Sequence, residues 1–405
     1  MNCEPATVLP HPPPYLDAMH DYLVAHESEL LEWFASHEAK REHAEAVHLD
    51  LLKTTYRLDR ADQGELYAQA DEAAAALSLA CPVTFYQSQD AGGATNASLA
   101  YVDAEVHVVL QGTILSTLTA SEKKALIGHE LTHFLLWHGR DGRYLTTSKV
   151  LNAMALDEQA EPAHLESARL FDLYSEIFCD RGALHVAGDL SATVAMLVKV
   201  ETGLSDVSSE RYLAQADEIF AQSEVSTEGI SHPECFIRCR ALRLHHESRE
   251  DASAGIERMI EGRRALVPLD LLGQRRVAEL TRRLIEILLA PKWMQSESML
   301  AHARSYFSDW SPAPGADAAE LQVIADFDDS LKTYFCYVLL DFVAADRDLE
   351  EGPLAAAILL ARSINLDTEL GERAAKELNL RKSQIEQIQK NAEQLVAAAG
   401  TEPAA

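Results

Sequence analysis

The chain has 405 residues, of which 47% are hydrophobic and 24% are charged, and at about 150 residues per domain this length predicts two or three domains. The composition is typical of a folded globular protein and argues against a disordered, collagen-like or disulfide-rich chain. Acidic residues outnumber basic ones by 64 to 35, which gives a net charge of −29. A field of this sign repels phosphate groups, so we expect no binding to nucleic acid or to anionic membrane surfaces.

The N-terminal residues 1–15 are rich in proline and have neither the basic nor the apolar segment of a secretory signal. No apolar run reaches the roughly 18 residues that a membrane span requires. The six cysteines are scattered along the chain, as is typical of reduced thiols in a cytoplasm. Only Cys235 and Cys239 are close in sequence, and we interpret them as core thiols because no second cysteine pair completes a zinc site. We therefore expect a cytoplasmic protein without a membrane span.

Residues 16–80 have a helical pattern with a break near Gly64. This stretch contains a histidine tract, defined as His20, His26, His37, His43 and His48. Two interpretations are open, a metal-binding tract and a solvated helix face. The second is favoured, because His37 and His43 are six residues apart and point about 240° apart around a helix.

Residues 82–89 and 98–110 have the alternating pattern of β-strands. In the second stretch Val106 and Val108 fall on one side and His107 on the other. After about residue 119 the pattern predicts helices and loops only.

These elements predict a helix-dominated α+β fold. We expect an N-terminal helical extension over residues 1–60, a domain with a small sheet over residues 61–250, and an all-α domain over residues 251–400. The boundary is placed near residues 247–256, after which the sequence is a series of amphipathic helical patterns.

The segment from Thr119 to Gly139 predicts a helix that carries a motif. Thr119 and Glu122 form the capping box T-x-x-E, apolar residues follow with helical spacing, and Gly139 is a candidate C-terminal stop. Inside this helix residues 129–133 read HELTH, which matches H-E-x-x-H.

This spacing suits a metal centre. His129 and His133 lie one turn apart on one helical face and can bind one zinc ion at about 2.0–2.1 Å. Zinc lowers the pKa of a bound water toward about 7, and the adjacent Glu130 can take the proton of that water as a general base. The alternative interpretation is an amphipathic helix with incidental histidines.

A zinc hydrolase needs a third protein ligand. One common arrangement places a third histidine six residues after the second, where this chain has Gly139. The other takes a glutamate from a second helix, and Glu176 and Asp180 lie one turn apart in an amphipathic helical pattern that follows His164. Glu176 is the candidate ligand, and Asp180 is the candidate acceptor for the free N–H of a ligating histidine. We expect residues 140–162 to form a long loop that could cover the cleft.

HELTH, followed about 43 residues after its second histidine by E-x-x-x-D, resembles the gluzincin peptidases related to the CAAX prenyl proteases and HtpX. The strand that ends near Leu110 is similar to the sheet edge of that family, beside the cleft, where a peptide can add as a further strand. Ser231-His232-Pro233 with Arg238 resembles the H-P-x4-R segment of the family. The resemblance covers about residues 60–250 and implies a zincin-like fold.

By this resemblance the zinc ligands are His129, His133 and Glu176. Glu130 would be the catalytic base, and Asp180 would orient a ligand. The resemblance places His232 and Arg238 near the cleft, where a cation or an N–H donor could stabilise the tetrahedral oxyanion. For these two residues a helix start at His-Pro and a buried, ion-paired arginine form an equally good alternative.

The C-terminal part, about residues 320–400, resembles the TerB-like helical module linked to tellurite resistance and stress systems. The stretch YVLLDFVAADRDLEEGPLAAAILLARSINL from Tyr337 carries this likeness. A metal site in its acidic segment is one interpretation, but a solvated helix start is favoured because the spacing is not that of an EF-hand loop. A protein partner would bind this module.

The sequence as a whole predicts a soluble zinc metalloendopeptidase with one zinc ion per chain and a protein or peptide substrate. One alternative is a zincin-fold scaffold with little turnover that acts through its TerB-like module in a stress response. Another is a metal-dependent hydrolase of a substrate other than a peptide, because the same activation of water serves any carbonyl group.

Overall fold

The structure is a computed structural model and describes residues 11–89, 96–102, 105–247, 251–312 and 318–401. The chain divides into two units between Gly262 and Arg263. Helices dominate both units and the first contains a single four-stranded sheet, which confirms the predicted α+β class. None of the helices in the described ranges has the length and hydrophobicity needed to cross a bilayer.

The first unit begins with helices α1 (Pro14–His26), α2 (Ser28–Ala35) and α3 (His37–Thr54). A short strand, β1 (Thr55–Arg57), follows and precedes helix α4 (Gly64–Ala76). The helical pattern predicted for residues 16–80 is therefore wrong at β1. Three residues are too few to show a period of two, and β1 is defined by its pairing with a distant strand.

The remaining strands are β2 (Val83–Ser88), β3 (Asn96–Val102) and β4 (Glu105–Gln111). The order in the sheet is β1-β2-β4-β3, in which β2 and β4 are parallel and the other neighbours are antiparallel. The prediction of one strand over residues 98–110 is wrong, because these residues belong to two paired strands. Residues 103–104, which connect the two strands, lie outside the described residues.

The predicted alternation within β4 holds. Val106, Val108 and Leu110 are buried in the core of the first unit, while His107 belongs to the opposite face of the sheet. In the described sheet β3 pairs only with β4, so β3 is an edge strand.

Helices complete the first unit. They are α5 (Ile114–Thr117), α6 (Ala120–His138), α7 (Arg143–Leu156), α8 (Pro162–Ala187), α9 (Leu190–Thr202), α10 (Ser209–Gln222), α11 (Cys235–His246) and α12 (Ala252–Glu261). The long loop expected over residues 140–162 is wrong, because α7 fills most of this segment and buries Tyr144, Val150 and Leu151.

The second unit has only helices as regular secondary structure in its described residues. Its α-helices are α13 (Leu271–Leu288), α14 (Glu297–Tyr306), α15 (Asp329–Ala345), α16 (Gly352–Ser363), α17 (Asp367–Glu377) and α18 (Lys382–Ala399), and its 3-10 helices are Lys292–Met294, Ala318–Asp326 and Arg347–Leu349. Its own core contains Leu284, Phe335 and Ile358, each fully buried. Between α15 and α16, Asp346 accepts a hydrogen bond from the Asp348 N–H and so caps the last of these 3-10 helices.

Candidate metal centre

Helix α6 carries the H-E-x-x-H motif and begins where the sequence predicts. The Thr119 N–H donates to Glu122 Oε2 at 2.8 Å and the Glu122 N–H donates to Thr119 Oγ1 at 3.4 Å, so the predicted capping box is confirmed. Lys199 Nζ of α9 also donates to Glu122 Oε2, at 2.9 Å, and both side chains of this ion pair are more than nine-tenths buried. The helix ends at Gly139 as predicted. The cap and the buried pair together fix the position of the motif against α9.

Helix α8 packs closely against α6 because glycines lie where the two helices meet. A Cβ atom on Gly182 of α8 would lie 2.6 Å from Thr132 Cβ of α6, and a Cβ atom on Gly128 of α6 would lie 2.7 Å from Val186 Cβ of α8. Both distances are far below an ordinary carbon–carbon contact. The close approach brings Glu176 of α8 to the motif.

His129, His133 and Glu176 meet in one buried cluster. His129 Nε2 lies 3.4 Å from Glu176 Oε2, and His133 Nε2 lies 3.2 Å from Glu176 Oε1. One ligand atom from each residue lies within 4.8 Å of those from the other two, and Glu176 Oε2 is buried without a hydrogen bond. Two imidazole nitrogens and one carboxylate oxygen, with room for a fourth ligand, are the donor set of a catalytic zinc ion. The residues present therefore fit zinc.

Asp180 lies behind His129, on the side away from the cluster. Its Oδ1 is 3.1 Å from His129 Nδ1, and its side chain is only 2% exposed. Arg238 of α11 donates to both carboxylate oxygens of Asp180, from Nε at 2.8 Å and from Nη2 at 2.6 Å. Burial would raise the pKa of Asp180, but Arg238 and then His129 hold it below the ordinary value. A charged carboxylate next to Nδ1 leaves Nε2 of His129 free to bind a metal.

The carboxyl groups of the centre differ in their electrostatics. Burial raises the pKa of Glu130, although His129 and His133 lower it in part. Burial also opposes the ionisation of Glu176, yet His133, His129 and Arg238 hold its pKa well below the ordinary value. A carboxylate that stays charged suits a metal ligand, and one whose pKa lies closer to neutrality suits proton transfer.

The charge on His129 also points to a cation. Burial would lower the pKa of this imidazole, but Asp180 and Glu176 raise it to about 10. The negative charges of Asp180 and Glu176 thus stabilise a positive charge at His129, which a bound proton or a metal ion can supply. Zinc needs the neutral imidazole and therefore displaces the proton.

The cluster opens into a cavity of about 970 Å³. Residues 96–99 of β3 form part of its wall, so an unpaired strand edge runs beside the centre. Asp172 of α8 also lines the cavity, and burial together with Glu176 raises its pKa to about 6. Sequence reasoning missed Asp172, although its position one turn before Glu176, on the same face as Glu176 and Asp180, is a signal that could have identified it.

His232 and Arg238 both lie at the cavity, where the sequence places them. His232 Nε2 is 3.4 Å from Glu176 Oε1 and its side chain is 55% exposed. Arg238 is buried, binds Asp180, and lies 3.2 Å from Glu176 Oε2. These contacts favour the interpretation of Arg238 as a buried, ion-paired residue that holds the two carboxylates. His232 remains the candidate that can reach a substrate.

Cys235 and Cys239 are free thiols, the first half-buried and the second buried, with their Sγ atoms 3.9 Å apart. They belong to α11 and pack beside the core of the first unit.

The part of the sequence that carries this centre matches a known protein family. Residues 60–244 match peptidase family M48. This M48-like domain contains the motif helix, Glu176, Asp180, His232 and Arg238. The match supports a zinc metallopeptidase domain, which confirms the predicted resemblance in this coarser form.

A curated relative agrees with the match. The plastoglobule-localized metallopeptidase 48, chloroplastic, of Arabidopsis thaliana is 26% identical over 212 residues, which is 48% of this chain and 60% of the relative. The chain thus spans about three fifths of the length of that protein. No solved structure matches the chain significantly.

Proposed function

We propose that this chain is a zinc-dependent endopeptidase that holds one catalytic zinc ion between α6 and α8. His129, His133 and Glu176 would bind the ion and Glu130 would act as general base. The observation that carries the proposal is the convergence of the three ligand atoms beside a buried carboxyl group at the wall of a large cavity. The M48 match over residues 60–244 supports the same activity.

The proposed mechanism divides the work between the ion and the protein. Zinc bound at this centre would polarise the scissile carbonyl group and activate a water molecule. Glu130 would accept a proton at its carboxylate and deliver it to the leaving amine, and burial brings its pKa toward the range that this task requires. Asp180 would orient the His129 ring through Nδ1, and Arg238 would hold Asp180 in place.

The substrate we propose is an extended peptide. Strand β3 presents an unpaired edge to the cavity, and an extended peptide can pair with such an edge through main-chain hydrogen bonds. His232, at the mouth of the cavity, would donate to the oxyanion.

The proposal also includes the sequence-based expectations for the rest of the chain. The second unit would act as an interaction or regulatory module similar to TerB, and its helical architecture supports this role. The cytoplasmic location is inferred from the sequence and stays a prediction.

A digest of casein or a peptide library by the wild type and Glu130→Gln tests the activity. We expect the variant to keep its zinc and to lose at least about 100-fold in rate, because general base catalysis contributes about that much or more. Glu218→Gln, a change at an exposed glutamate on α10, is the matched control and should behave as the wild type. Equal rates for wild type and Glu130→Gln, or no digestion by a fully zinc-loaded wild type, would favour the scaffold protein or the hydrolase of other substrates.

A further inference from the structure

A second cluster of metal-binding side chains lies outside the centre between α6 and α8. It consists of His48 from α3 and of Glu105 and His107 from β4. His107 Nε2 lies 3.2 Å from Glu105 Oε2, and His48 Nε2 lies 3.9 Å from the same oxygen. One ligand atom from each of the three residues lies within 4.8 Å of the other two, as in the first centre.

His107 is the buried anchor of this cluster. Its side chain is only 7% exposed, and its Nδ1 is 3.1 Å from the hydroxyl group of Tyr86 on β2. Its Nε2 is buried without a hydrogen bond, even though Glu105 lies close. With Nδ1–H donating to Tyr86, the lone pair of Nε2 faces a carboxylate oxygen, and a cation between the two would satisfy both.

A cation at this position would link helix α3 to strand β4. A cavity of about 460 Å³ lies between part of α3 and the strands, and its wall includes Ala46 and Asp50 of α3 and Val109 of β4. Leu49 and Leu52 of α3 are 52% and 81% exposed, and Leu51, at 6%, is the leucine through which this part of the helix packs. A metal bridge from His48 to β4 would add a second attachment of this helix beside the buried Leu51.

We propose that His48, Glu105 and His107 bind a second divalent ion that fastens α3 to the outer face of the sheet. Two imidazoles and one carboxylate select zinc or a neighbouring transition metal over calcium or magnesium. The side chains of His48 and Glu105 are about half exposed, so water completes the coordination. His48 is the one member of the histidine tract that the proposal uses. The site is independent of the peptidase activity.

Zinc stoichiometry of the full chain tests the proposal. The protein is freed of metal with a chelator, reloaded with zinc chloride, dialysed and measured by elemental analysis. We expect two ions for the wild type, one for His48→Ala, one for His133→Ala and none for the double variant. His246→Ala, which changes an exposed histidine at the end of α11, is the control and should keep two. Because the two sites are removed separately, failure of the first centre would not hide the second.

Two further measurements distinguish a specific metal site from an ion that is adventitious only. Tyr86→Phe keeps all three ligands but removes the partner of His107 Nδ1, and should weaken the second ion by about 10–100-fold. Zinc should slow amide hydrogen exchange in α3 of the wild type and of His133→Ala but not of His48→Ala. The proposal is overturned if His48→Ala binds as much zinc as the wild type, or if zinc leaves exchange in α3 unchanged.

Discussion

The close contact between α6 and α8 can be tested by adding one methyl group. In Gly182→Ala the new Cβ atom would lie 2.6 Å from both Cβ and Cγ2 of Thr132 and 1.9 Å from its Oγ1. Thr132 has no free space in which to turn, because it is fully buried and its hydroxyl donates to the Gly128 carbonyl at 2.6 Å. The helices must therefore move apart.

The size of the movement follows from the shortest contact distance. Because Cβ atoms essentially never lie closer than 3.0 Å to another heavy atom, the 1.9 Å approach to Thr132 Oγ1 requires a separation of at least about 1.1 Å. Overpacking of this kind costs about 1–3 kcal/mol, and the better helix propensity of alanine offsets up to about 1 kcal/mol of it. A zinc site tolerates errors of about 0.2 Å in its ligand distances. We expect a net loss of about 1–2 kcal/mol in unfolding free energy and at least a tenfold loss in zinc affinity.

Urea unfolding and a competitive zinc titration measure both effects. Gly64→Ala is the control, because a Cβ atom at Gly64 meets nothing within 4 Å, and it should bind zinc as the wild type does. The double variant Gly182→Ala with Thr132→Gly removes the clash and should recover part of the zinc affinity. The reasoning is refuted if Gly182→Ala alone keeps both the stability and the zinc affinity of the wild type.

Three further predictions concern other parts of the first unit. Asp180→Ala should weaken zinc binding by about 10–100-fold, because His129 loses the group that orients it; an unchanged affinity in a chelator competition would remove Asp180 from this role. Lys199→Met should cost about 3–5 kcal/mol in urea unfolding, since Glu122 is left as a buried, unpaired charge. Adding Glu122→Gln should restore part of that loss, and a single variant as stable as the wild type would contradict the argument. His245 supplies the pH test, because burial and then Arg181 lower its pKa to about 4. The unfolded chain, with a histidine pKa near about 6.5, binds more protons between these pH values, so this residue makes stability rise as pH rises from about 4 to 6.5. After allowance for its partial exposure we expect about 1–2 kcal/mol. His245→Asn should remove this part of the pH dependence, and identical pH profiles of the unfolding free energy for variant and wild type would count against it.

Local sequence signals predict the motif helix well because its determinants lie within a few residues of one another. The capping box at Thr119, the ligand spacing in α6 and the turn from Glu176 to Asp180 are all set by helical periodicity. The same rules place these side chains on one face of a helix. They do not give the distance between α6 and α8, which depends on Gly128 and Gly182 meeting side chains some 50 residues away.

Signals that depend on distant pairing are missed. Strand β1 exists through its antiparallel pairing with β2, and nothing in residues 55–57 alone distinguishes it from the end of α3. The break between β3 and β4 is hidden because apolar alternation is present on both sides of residues 103–104. His48 was interpreted within its own tract, yet its neighbours Glu105 and His107 come from a strand more than 50 residues further along the chain.

Two large apolar clusters of buried side chains lie in different units, one between residues 58 and 242 and the other between residues 269 and 392. The two units can therefore unfold in separate transitions on heating or in denaturant. A single unfolding midpoint would then describe neither unit. Zinc bound at the proposed centres would stabilise only the half that contains them. Tryptophans at 33 and 137 report on the first half and those at 293 and 310 on the second, so single-tryptophan fluorescence can assign each melting step to its own half.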